Sequence, residues 1–443
     1  MEPWKDYFKG KRITVMGLGL LGRGVGDAAF LAPLCAELMV TDLKSEAELA
    51  DSLRQLKDFK NITFHLGGHQ LIDFQNRDLI LKAAGVPLDS LYIAEAKKNN
   101  TPVRMSADLF MELSGVTSVG ITGTRGKSTV THMLAHILKT AGKKVLLGGN
   151  VRGVSTLALL PEATPEAIAV LELDSWQCQG LADGKLSPHV AVFTTFLPDH
   201  MNYYKNDMRL YFADKANIFL YQKPTDMLVV GEQVAPLIKE YGYQDKVVAQ
   251  TVTAGVKDIP AQWHLKVPGE HNRYDAGVAA AAARVLGIND NTIKEALESF
   301  EGVPGRLQFI REVRGIKIYN DTTATVPEAT IAALEALDPN DKKNVVLIMG
   351  GADKGLDMSR LVATIPRHCK KVLLLAGTGS ERIKSELPNS LIYQTTTDAV
   401  SAALAAATTG DIILLSPAFA SFGMFKNEYD RGEQFNAIVA ALA

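Results

Sequence analysis

The stretch that decides the fold is Val119-Gly120-Ile121-Thr122-Gly123-Thr124-Arg125-Gly126-Lys127-Ser128-Thr129. It begins as a short apolar β-type run, turns through two glycines and leads into a helix-type pattern over 130–140. Glycines allow consecutive backbone N–H groups to converge on a phosphate, and the N-terminus of the following helix adds partial positive charge. The stretch therefore predicts a site for the phosphates of ATP, where Lys127 meets the β- and γ-phosphates and the Ser128 hydroxyl is a ligand of Mg²⁺.

This loop is a shorter variant of the general phosphate loop. The general pattern has a glycine at the position where this chain has Ile121. A capped helix start without any ligand is the structural alternative, but the upstream strand together with both glycines favours the phosphate site. The residues predicted to contact ATP in the loop are Gly123, Thr124, Arg125, Gly126, Lys127, Ser128 and Thr129.

The bulk composition argues against several classes of protein. The chain has 443 residues and a formal net charge of −2, so there is no basic excess that would predict nucleic acid or an anionic membrane as a partner. No uninterrupted apolar run reaches the roughly 20 residues that span a bilayer, and the charged opening at residues 1–6 is unlike a signal peptide. Cys35, Cys178 and Cys369 are far apart, which is typical of reduced core cysteines in a cytoplasmic protein.

Short β-type runs alternate with longer helix-type segments along the whole chain, as in parallel sheets flanked by helices. We predict an α/β protein of three domains: a Rossmann-like domain over 1–108, a central ATP-binding domain of the P-loop ATPase type with a mostly parallel sheet over 109–304, and a second Rossmann-like domain over 305–443. The predicted strands are 12–16, 37–41, 79–83, 102–105, 116–122, 144–147, 167–172, 189–193, 226–230, 316–319, 344–349, 371–376 and 411–416, and the clearest predicted helices are 26–37, 130–140 and 270–286.

A second glycine loop near the N-terminus supports a different enzyme class. Gly17, Gly19 and Gly22 satisfy Gly-x-Gly-x-x-Gly after a predicted strand, and Asp42 stands about twenty residues further on, as in the dinucleotide fingerprint. With Asp42 on a ribose hydroxyl, the chain would be an NAD-dependent oxidoreductase. That hypothesis leaves the phosphate loop at Lys127 unexplained.

The stretch 123–129 resembles the ATP loop of the Mur ligases and folylpolyglutamate synthases, and three further stretches, 148–151, 171–177 and 198–202, resemble Mur ligases in particular. The resemblance implies an ATP-dependent ligase of peptidoglycan precursor synthesis that phosphorylates a carboxylate and joins it to an amine. The motif order is closest to the D-glutamate-adding member, which implies UDP-N-acetylmuramoyl-L-alanine, ATP and D-glutamate as substrates, Mg²⁺ as cofactor and a monomer. A ligase for another amino acid such as L-glutamate, and a nucleotide-binding regulator without catalytic activity, remain alternatives.

The resemblance also assigns roles in the central domain. Glu172 ends a predicted strand, where open α/β sheets place ligands, and its carboxylate can complete the oxygen shell of Mg²⁺. From the residues alone, Lys215 is a surface lysine on a helix, whereas the resemblance implies that it is carbamylated and binds metal. The implied metal ligands are Ser128, Glu172, His200 and Lys215, the implied catalytic residues are Lys127, His200 and Lys215, and the further implied ATP contacts are Asn272, Arg306 and Asp321.

Two substrate sites follow from the same resemblance. The implied UDP-sugar contacts are Gly19, Leu20, Leu21, Asp42, Gly85 and Asn150, and the implied amino-acid contacts are Thr325, Lys354, Ser421 and Phe422. Two departures from the family pattern stand out. Ala83-Ala84 replaces a Ser-Pro before Gly85, and Thr323 stands where a lysine follows the aspartate, which leaves the choice between D- and L-glutamate open.

Overall fold

The computed structural model describes residues 3–87 and 89–442, apart from the side chain of Pro3. The first two residues of the charged opening therefore lie outside the described residues. By its internal contacts the chain divides into two units, one reaching Ile259 and including Asp275–Glu295, the other comprising Pro260–Tyr274 and the chain from Ala296 on. The domain boundaries predicted after residues 108 and 304 remain predictions.

The first sheet is parallel, with the strand order β3-β2-β1-β4-β5. Its central strand is buried because the stretch from Ile13 to Met16 is almost entirely apolar. The strands are β1 (Arg12–Met16), β2 (Glu37–Asp42), β3 (Ile62–Leu66), β4 (Leu79–Lys82) and β5 (Val103–Arg104), and the helices are α1 (Pro3–Phe8), α2 (Arg23–Leu31), α3 (Ala50–Leu56), α4 (Leu91–Lys98) and α5 (Ser106–Ser114).

The second sheet is also parallel, in the order β11-β10-β9-β6-β8-β7. Its strands are β6 (Thr117–Thr122), β7 (Lys144–Gly149), β8 (Ala167–Glu172), β9 (Val190–Phe193), β10 (Met227–Gly231) and β11 (Gln250–Ala254), and the helices that follow them in the chain are α6 (Lys127–Thr140), α7 (Ser175–Gly184), α8 (Met208–Leu220), α9 (Ala235–Glu240), α10 (Glu270–Val285) and α11 (Asp290–Ser299). The phosphate loop joins β6, in the interior of this sheet, to α6.

The third sheet is mixed, because its edge strand β12 (Gln308–Val313) runs antiparallel to β13 (Ile316–Asn320) while the other pairs are parallel. The strand order is β12-β13-β17-β14-β15-β16. The remaining elements are β14 (Val345–Gly350), β15 (Cys369–Leu375), β16 (Leu391–Tyr393), β17 (Ile412–Leu415), α12 (Pro327–Leu337), α13 (Ser359–His368), α14 (Thr378–Ile383), α15 (Thr396–Ala406) and α16 (Glu428–Ala440).

The predicted α/β architecture with mostly parallel sheets is confirmed, and the differences lie at element ends and sheet edges. The strands β3, β11, β12 and β16 were not predicted, and each is an edge strand. Helix α2 ends at Leu31 rather than at the predicted residue 37, because Pro33 has no backbone N–H to donate to the carbonyl four residues earlier. Helix α6 begins at Lys127, ahead of the predicted residue 130, because Gly126 supplies a left-handed N-cap. Within the described residues, no helix is long and apolar enough to cross a membrane.

A buried carboxylate connects the first sheet's helices to the loop after β7. The Asp27 side chain accepts hydrogen bonds from the hydroxyls of Ser106, at 2.8 Å, and Ser155, at 2.6 Å. Ser106 in turn accepts a hydrogen bond from the backbone N–H of Leu157 at 3.0 Å. Burial raises the pKa of the Asp27 carboxyl to about 6, against the bonds from both serines.

We predict that Asp27→Asn becomes more stable relative to the natural chain as the pH rises from 4 to 8. The raised pKa means that the stability from the protonated Asp27 carboxyl is complete below its unfolded-state value of 3.8 and is lost as the pH passes about 6. An asparagine does not titrate, so the difference in unfolding free energy should shift by about 2–3 kcal/mol in favour of the variant. Thermal unfolding across this pH range measures it, with the exposed Asp58→Asn as control. A pH-independent difference would contradict the prediction.

Candidate active site

The phosphate loop is held in shape by the segment that follows β9. The Thr124 N–H donates to the carbonyl oxygen of Thr195 at 2.7 Å, and the Arg125 N–H donates to the Thr195 hydroxyl at 2.9 Å. The Thr194 hydroxyl donates to the carbonyl oxygen of Arg125 at 2.6 Å. Because these bonds come from the neighbouring strand's end, the loop conformation does not depend on a ligand.

Two lysine side chains converge on one carbonyl group in this loop. The ammonium groups of Lys127 and Lys215 donate to the Gly123 carbonyl oxygen at 3.0 and 2.8 Å. Lys215 is 1% exposed, so its interpretation as a surface lysine is wrong: α8 points it into the interior, 4.9 Å from the centre of the Tyr211 ring. Burial, and then the charge of Lys127, lower the pKa of the Lys215 amine to about 7.

His200 lies beside this pair of lysines. It adopts left-handed backbone with a φ of 54°, and its ring packs on Trp176 with the centroids 4.6 Å apart. Burial lowers the pKa of the His200 imidazole, the carboxylate of Asp199 opposes this, and the charges of Lys215 and Lys127 lower it further. The neutral imidazole thus favoured is the form that binds metals.

Glu172 is the last residue of β8, the strand next to β6, and lies at the same carboxyl end of the second sheet as the phosphate loop. It pairs in register with Ile121 of β6. Its side chain is 4% exposed, and one carboxylate oxygen accepts a hydrogen bond from the Asn150 amide at 3.2 Å. The oxygen of the same amide accepts a hydrogen bond from Arg23 of α2. Asn150 thus connects the predicted metal ligand Glu172 to the cation that begins α2.

A cavity of about 330 Å³ opens at the carboxyl end of the first sheet. The strand order places it at the switch point between β1 and β4, where open α/β sheets bind ligands. The predicted residues that line it are Gly19, Leu20, Leu21, Asp42 and Gly85. Among the other lining residues, Lys82 and His69 were missed because an isolated basic residue carries no spacing signal.

Asp42 has a structural task that the sequence did not indicate. Its carboxylate accepts hydrogen bonds from the backbone N–H groups of Leu18 at 2.8 Å, Gly19 at 2.9 Å and Lys44 at 2.9 Å. The carboxylate therefore fixes the first glycine loop to the end of β2. Its predicted contact with a uracil or a ribose would use the remaining lone pairs, and that contact stays a prediction.

The predicted amino-acid residues lie at the carboxyl end of the third sheet. The ammonium group of Lys354 donates to the Thr325 hydroxyl at 3.2 Å. Ser421 is buried, whereas the side chain of Phe422 is 67% exposed. Backbone hydrogen bonds between Ala352 and Ala420, at 2.9 and 3.2 Å, join the glycine turn before Lys354 to the loop before Ser421.

The ATP contacts predicted outside the phosphate loop lie in the second of the two units. Asp321 accepts hydrogen bonds from the Leu307 N–H at 2.9 Å and the Ser416 hydroxyl at 2.8 Å, and burial raises the pKa of its carboxyl to about 7. Asn272 donates its amide to the Pro268 carbonyl oxygen at 2.6 Å, and Arg306 is exposed. Their roles toward ATP stay predictions.

Arg431 is a residue of this unit to which the sequence analysis gave no role. Its side chain is 0% exposed and donates to Thr322 at 3.1 Å (hydroxyl) and 2.8 Å (carbonyl), and to the Phe419 carbonyl at 3.3 Å. Burial lowers the pKa of its guanidinium to about 10. Arg431 thus fastens the loop before Thr325 to the loop before Ser421.

The fold and this arrangement define an ATP-dependent ligase. Residues 121–248 match the family described as Mur ligase middle domain, and residues 305–419 match the family described as Mur ligase, glutamate ligase domain. The chain belongs to the Mur ligase family. The predicted ligase class is thereby confirmed over the oxidoreductase and regulator alternatives.

Similarity to known relatives extends over almost the full length. The chain is 34% identical to the UDP-N-acetylmuramoylalanine–D-glutamate ligase of Roseiflexus sp. (strain RS-1), covering 97% of this chain and 98% of that protein. It is also 34% identical to the ligase of the same name from Borreliella afzelii (strain PKo), covering 99% of each.

Two solved structures share the fold at 18% identity. The UDP-N-acetylmuramate-alanine ligase MurC of Thermotoga maritima has a TM-score of 0.64, with 97% of this chain and 99% of that chain covered. The MurF ligase of Thermotoga maritima in complex with ADP has a TM-score of 0.62, with 100% of both chains covered. At this identity the likeness concerns the fold alone.

We predict that Gly126→Ala destabilises the phosphate loop more than Gly142→Ala destabilises the other end of α6. Both glycines have left-handed backbone, with φ of 84° and 72°, but a Cβ on Gly126 would overlap the Asp275 carboxylate whereas one on Gly142 would meet open space. We expect about 1 kcal/mol for Gly142→Ala and about 2–4 kcal/mol for Gly126→Ala. Urea unfolding without nucleotide measures both, and equal losses would contradict the role of the overlap.

Proposed function

We propose that this chain joins D-glutamate to the terminal carboxylate of UDP-N-acetylmuramoyl-L-alanine, with ATP converted to ADP and phosphate. The observation that carries the proposal is the meeting of Lys127 and Lys215 on the Gly123 carbonyl oxygen, with His200 beside them. A loop that only binds ATP needs Lys127 alone, whereas the buried amine of Lys215, whose pKa is lowered to about 7, supplies a second reactive group beside the phosphate position. The names of the full-length relatives support the choice of substrates.

The reaction has two steps. In the first, a carboxylate oxygen of the muramoyl-alanine attacks the γ-phosphorus of ATP, the bond to the β-phosphate oxygen breaks, and ADP leaves. Lys127 would offset the charge on the transferring phosphoryl group. In the second, the glutamate amine attacks the acyl carbon, loses a proton and expels phosphate, which leaves an amide.

The residues at the strand ends fit Mg²⁺ on one condition. Glu172 has one carboxylate oxygen bonded to Asn150 and a second without a hydrogen bond among the described residues. Ser128 supplies a hydroxyl and His200 a neutral imidazole, but the described residues include no cluster of three or more His, Cys, Asp or Glu side chains suited to a metal. The set Ser128, Glu172, His200 and Lys215 would hold Mg²⁺ if Lys215 contributes oxygen atoms. Bound there, the metal would neutralise phosphate charge.

Carbamylation would meet that condition. The pKa of the Lys215 amine, lowered to about 7, leaves a large share of it unprotonated at neutral pH, and the unprotonated amine reacts with CO₂. The product is a carbamate, with one proton released. The carbamate would replace one of two neighbouring cations by an anion, which removes the repulsion between Lys215 and Lys127.

The amino acid would bind at the carboxyl end of the third sheet. Lys354 offers a cation and Thr325 a hydroxyl to one carboxylate of glutamate, and Ser421 is suited to the other. Thr323, which replaces the expected lysine, uses its hydroxyl on the Gly305 carbonyl at 3.0 Å. We further propose that the chain acts as a monomer in the cytoplasm, where ATP and UDP-linked precursors are available.

The proposal predicts that phosphate release requires ATP, UDP-N-acetylmuramoyl-L-alanine and D-glutamate together. We expect D-glutamate to exceed L-glutamate and other amino acids by about tenfold or more, since a site built for a substrate's polar groups rejects ligands that leave them unpaired. A phosphate-release assay across an amino-acid panel, with mass spectrometry of the product, measures this.

Two lysine variants on α6 serve as matched controls in that assay. Lys127→Ala should lower turnover by about 100-fold or more, while the exposed Lys139→Ala should keep it within about twofold. Phosphate release without the nucleotide sugar, or near-normal turnover by folded Lys127→Ala, would refute the proposed reaction.

For Lys215 we predict a carbamate signal in ¹³C NMR with labelled bicarbonate. The signal should be strong at pH 8 and should fade as the pH falls through about 7, because the amine is protonated below its pKa. Lys215→Arg should lack it, whereas Lys139→Arg should retain it. A signal that persists in folded Lys215→Arg, or is missing from the natural chain at pH 8, would refute the carbamate.

A further inference from the structure

Lys82 is a buried cation at the switch point of the first sheet. It is the last residue of β4 and pairs in register with Met16, which directly precedes the first glycine loop. Its side chain is 3% exposed and lines the cavity together with Gly17 and Gly19. From β1 the chain continues to β2 on one side, and from β4 it continues to β5 on the other side. The crevice between the ends of β1 and β4 is therefore a position where open α/β sheets bind ligands.

The Lys82 ammonium group is short of partners. It donates one hydrogen bond, to the Val86 carbonyl oxygen at 3.1 Å, although an ammonium group carries three donors. Within the described residues no carboxylate lies at ion-pair distance, and the charges of four carboxylates reach it only over longer range: Asp183, Asp174, Asp108 and Asp214. A buried charge with so little compensation is unfavourable unless a ligand completes it.

The surroundings of Lys82 favour a phosphate as that ligand. Helix α2 begins at this crevice after Gly22, whose position provides no side-chain cap, so the first N–H groups of the helix remain available for an anion. The turn after Lys82 is Ala83-Ala84-Gly85, which offers no side-chain donor. Lys82 is therefore the cationic side chain that this turn brings to the cavity.

We infer that Lys82 binds the diphosphate of the nucleotide sugar, opposite the first glycine loop. This inference rests on the proposed function, since it takes a UDP-linked substrate as the ligand of the cavity. Lys82 would then be a substrate-binding residue. Its contact with the diphosphate would replace the contact of the serine that Ala83 substitutes in this turn.

The test is calorimetric titration of UDP and of uridine into the natural chain, Lys82→Met, Lys82→Arg and, as control, the exposed Lys98→Met of α4. We expect Lys82→Met to weaken UDP binding by about 10- to 100-fold and to leave uridine binding unchanged, because methionine keeps the buried stem and removes the charge. Lys82→Arg should retain part of the affinity for UDP, and Lys98→Met all of it. The melting temperature of Lys82→Met should be no lower than that of the natural chain, since an unpaired buried charge is removed.

The outcomes separate this inference from the proposed function. If the natural chain binds UDP and Lys82→Met binds it equally well, the inference is wrong while the proposed function stands. If Lys82→Met loses UDP and uridine equally, or melts at a lower temperature, Lys82 has a structural role and the inference is again wrong. If the natural chain binds neither UDP nor uridine, the cavity is not a nucleotide-sugar site, and both the inference and the proposed function are wrong.

Discussion

Two cations on one carbonyl oxygen set the central constraint of this protein. The Gly123 carbonyl accepts from both Lys127 and Lys215, and Lys215 is buried against the Tyr211 ring with no carboxylate at ion-pair distance in the described residues. The charge of Lys127, together with burial, disfavours the protonated form of Lys215, and an anion bound between the two amines would reverse that effect. Every proposed event at the loop, namely phosphate binding, carboxylate binding and carbamylation of Lys215, brings such an anion.

The first and third sheets also have a buried basic side chain near the ends of their strands. Lys82 at the end of β4 and Arg431, which contacts the loops after β13 and β17, are buried cations that donate, among the residues the structure describes, only to neutral oxygens. A buried charge without a counter-charge lowers stability, and natural chains keep such groups where function requires them. The proposed ligands of these two sheets, a UDP-sugar and glutamate, are anions, so a buried cation near each of the two strand-end sites provides a complementary charge.

Strands and loops could be predicted from the sequence where neighbouring residues carry a clear pattern. The central strand β14 is buried along its whole length, so it appears as a continuous apolar run and was predicted. The missed strands β3, β11, β12 and β16 are edges with several partly or fully exposed residues, so their apolar pattern is weak. The phosphate loop was predictable because its glycines, its lysine and the helix start are adjacent in the chain.

Burial of single charged residues has no comparable local signature. On the helix pattern alone Lys215 was placed at the surface, yet it is as buried as Tyr211 and Phe212 of the same helix. The sequence gave no signal for Arg431 or Lys82 either. Arg431 contacts Thr322 across 109 residues, and Lys82 reaches the first glycine loop only through the pairing of β4 with β1. Local patterns therefore reveal the groups that hold phosphate through backbone geometry, whereas groups that act through an uncompensated charge emerge only once the fold shows which counter-charges are missing.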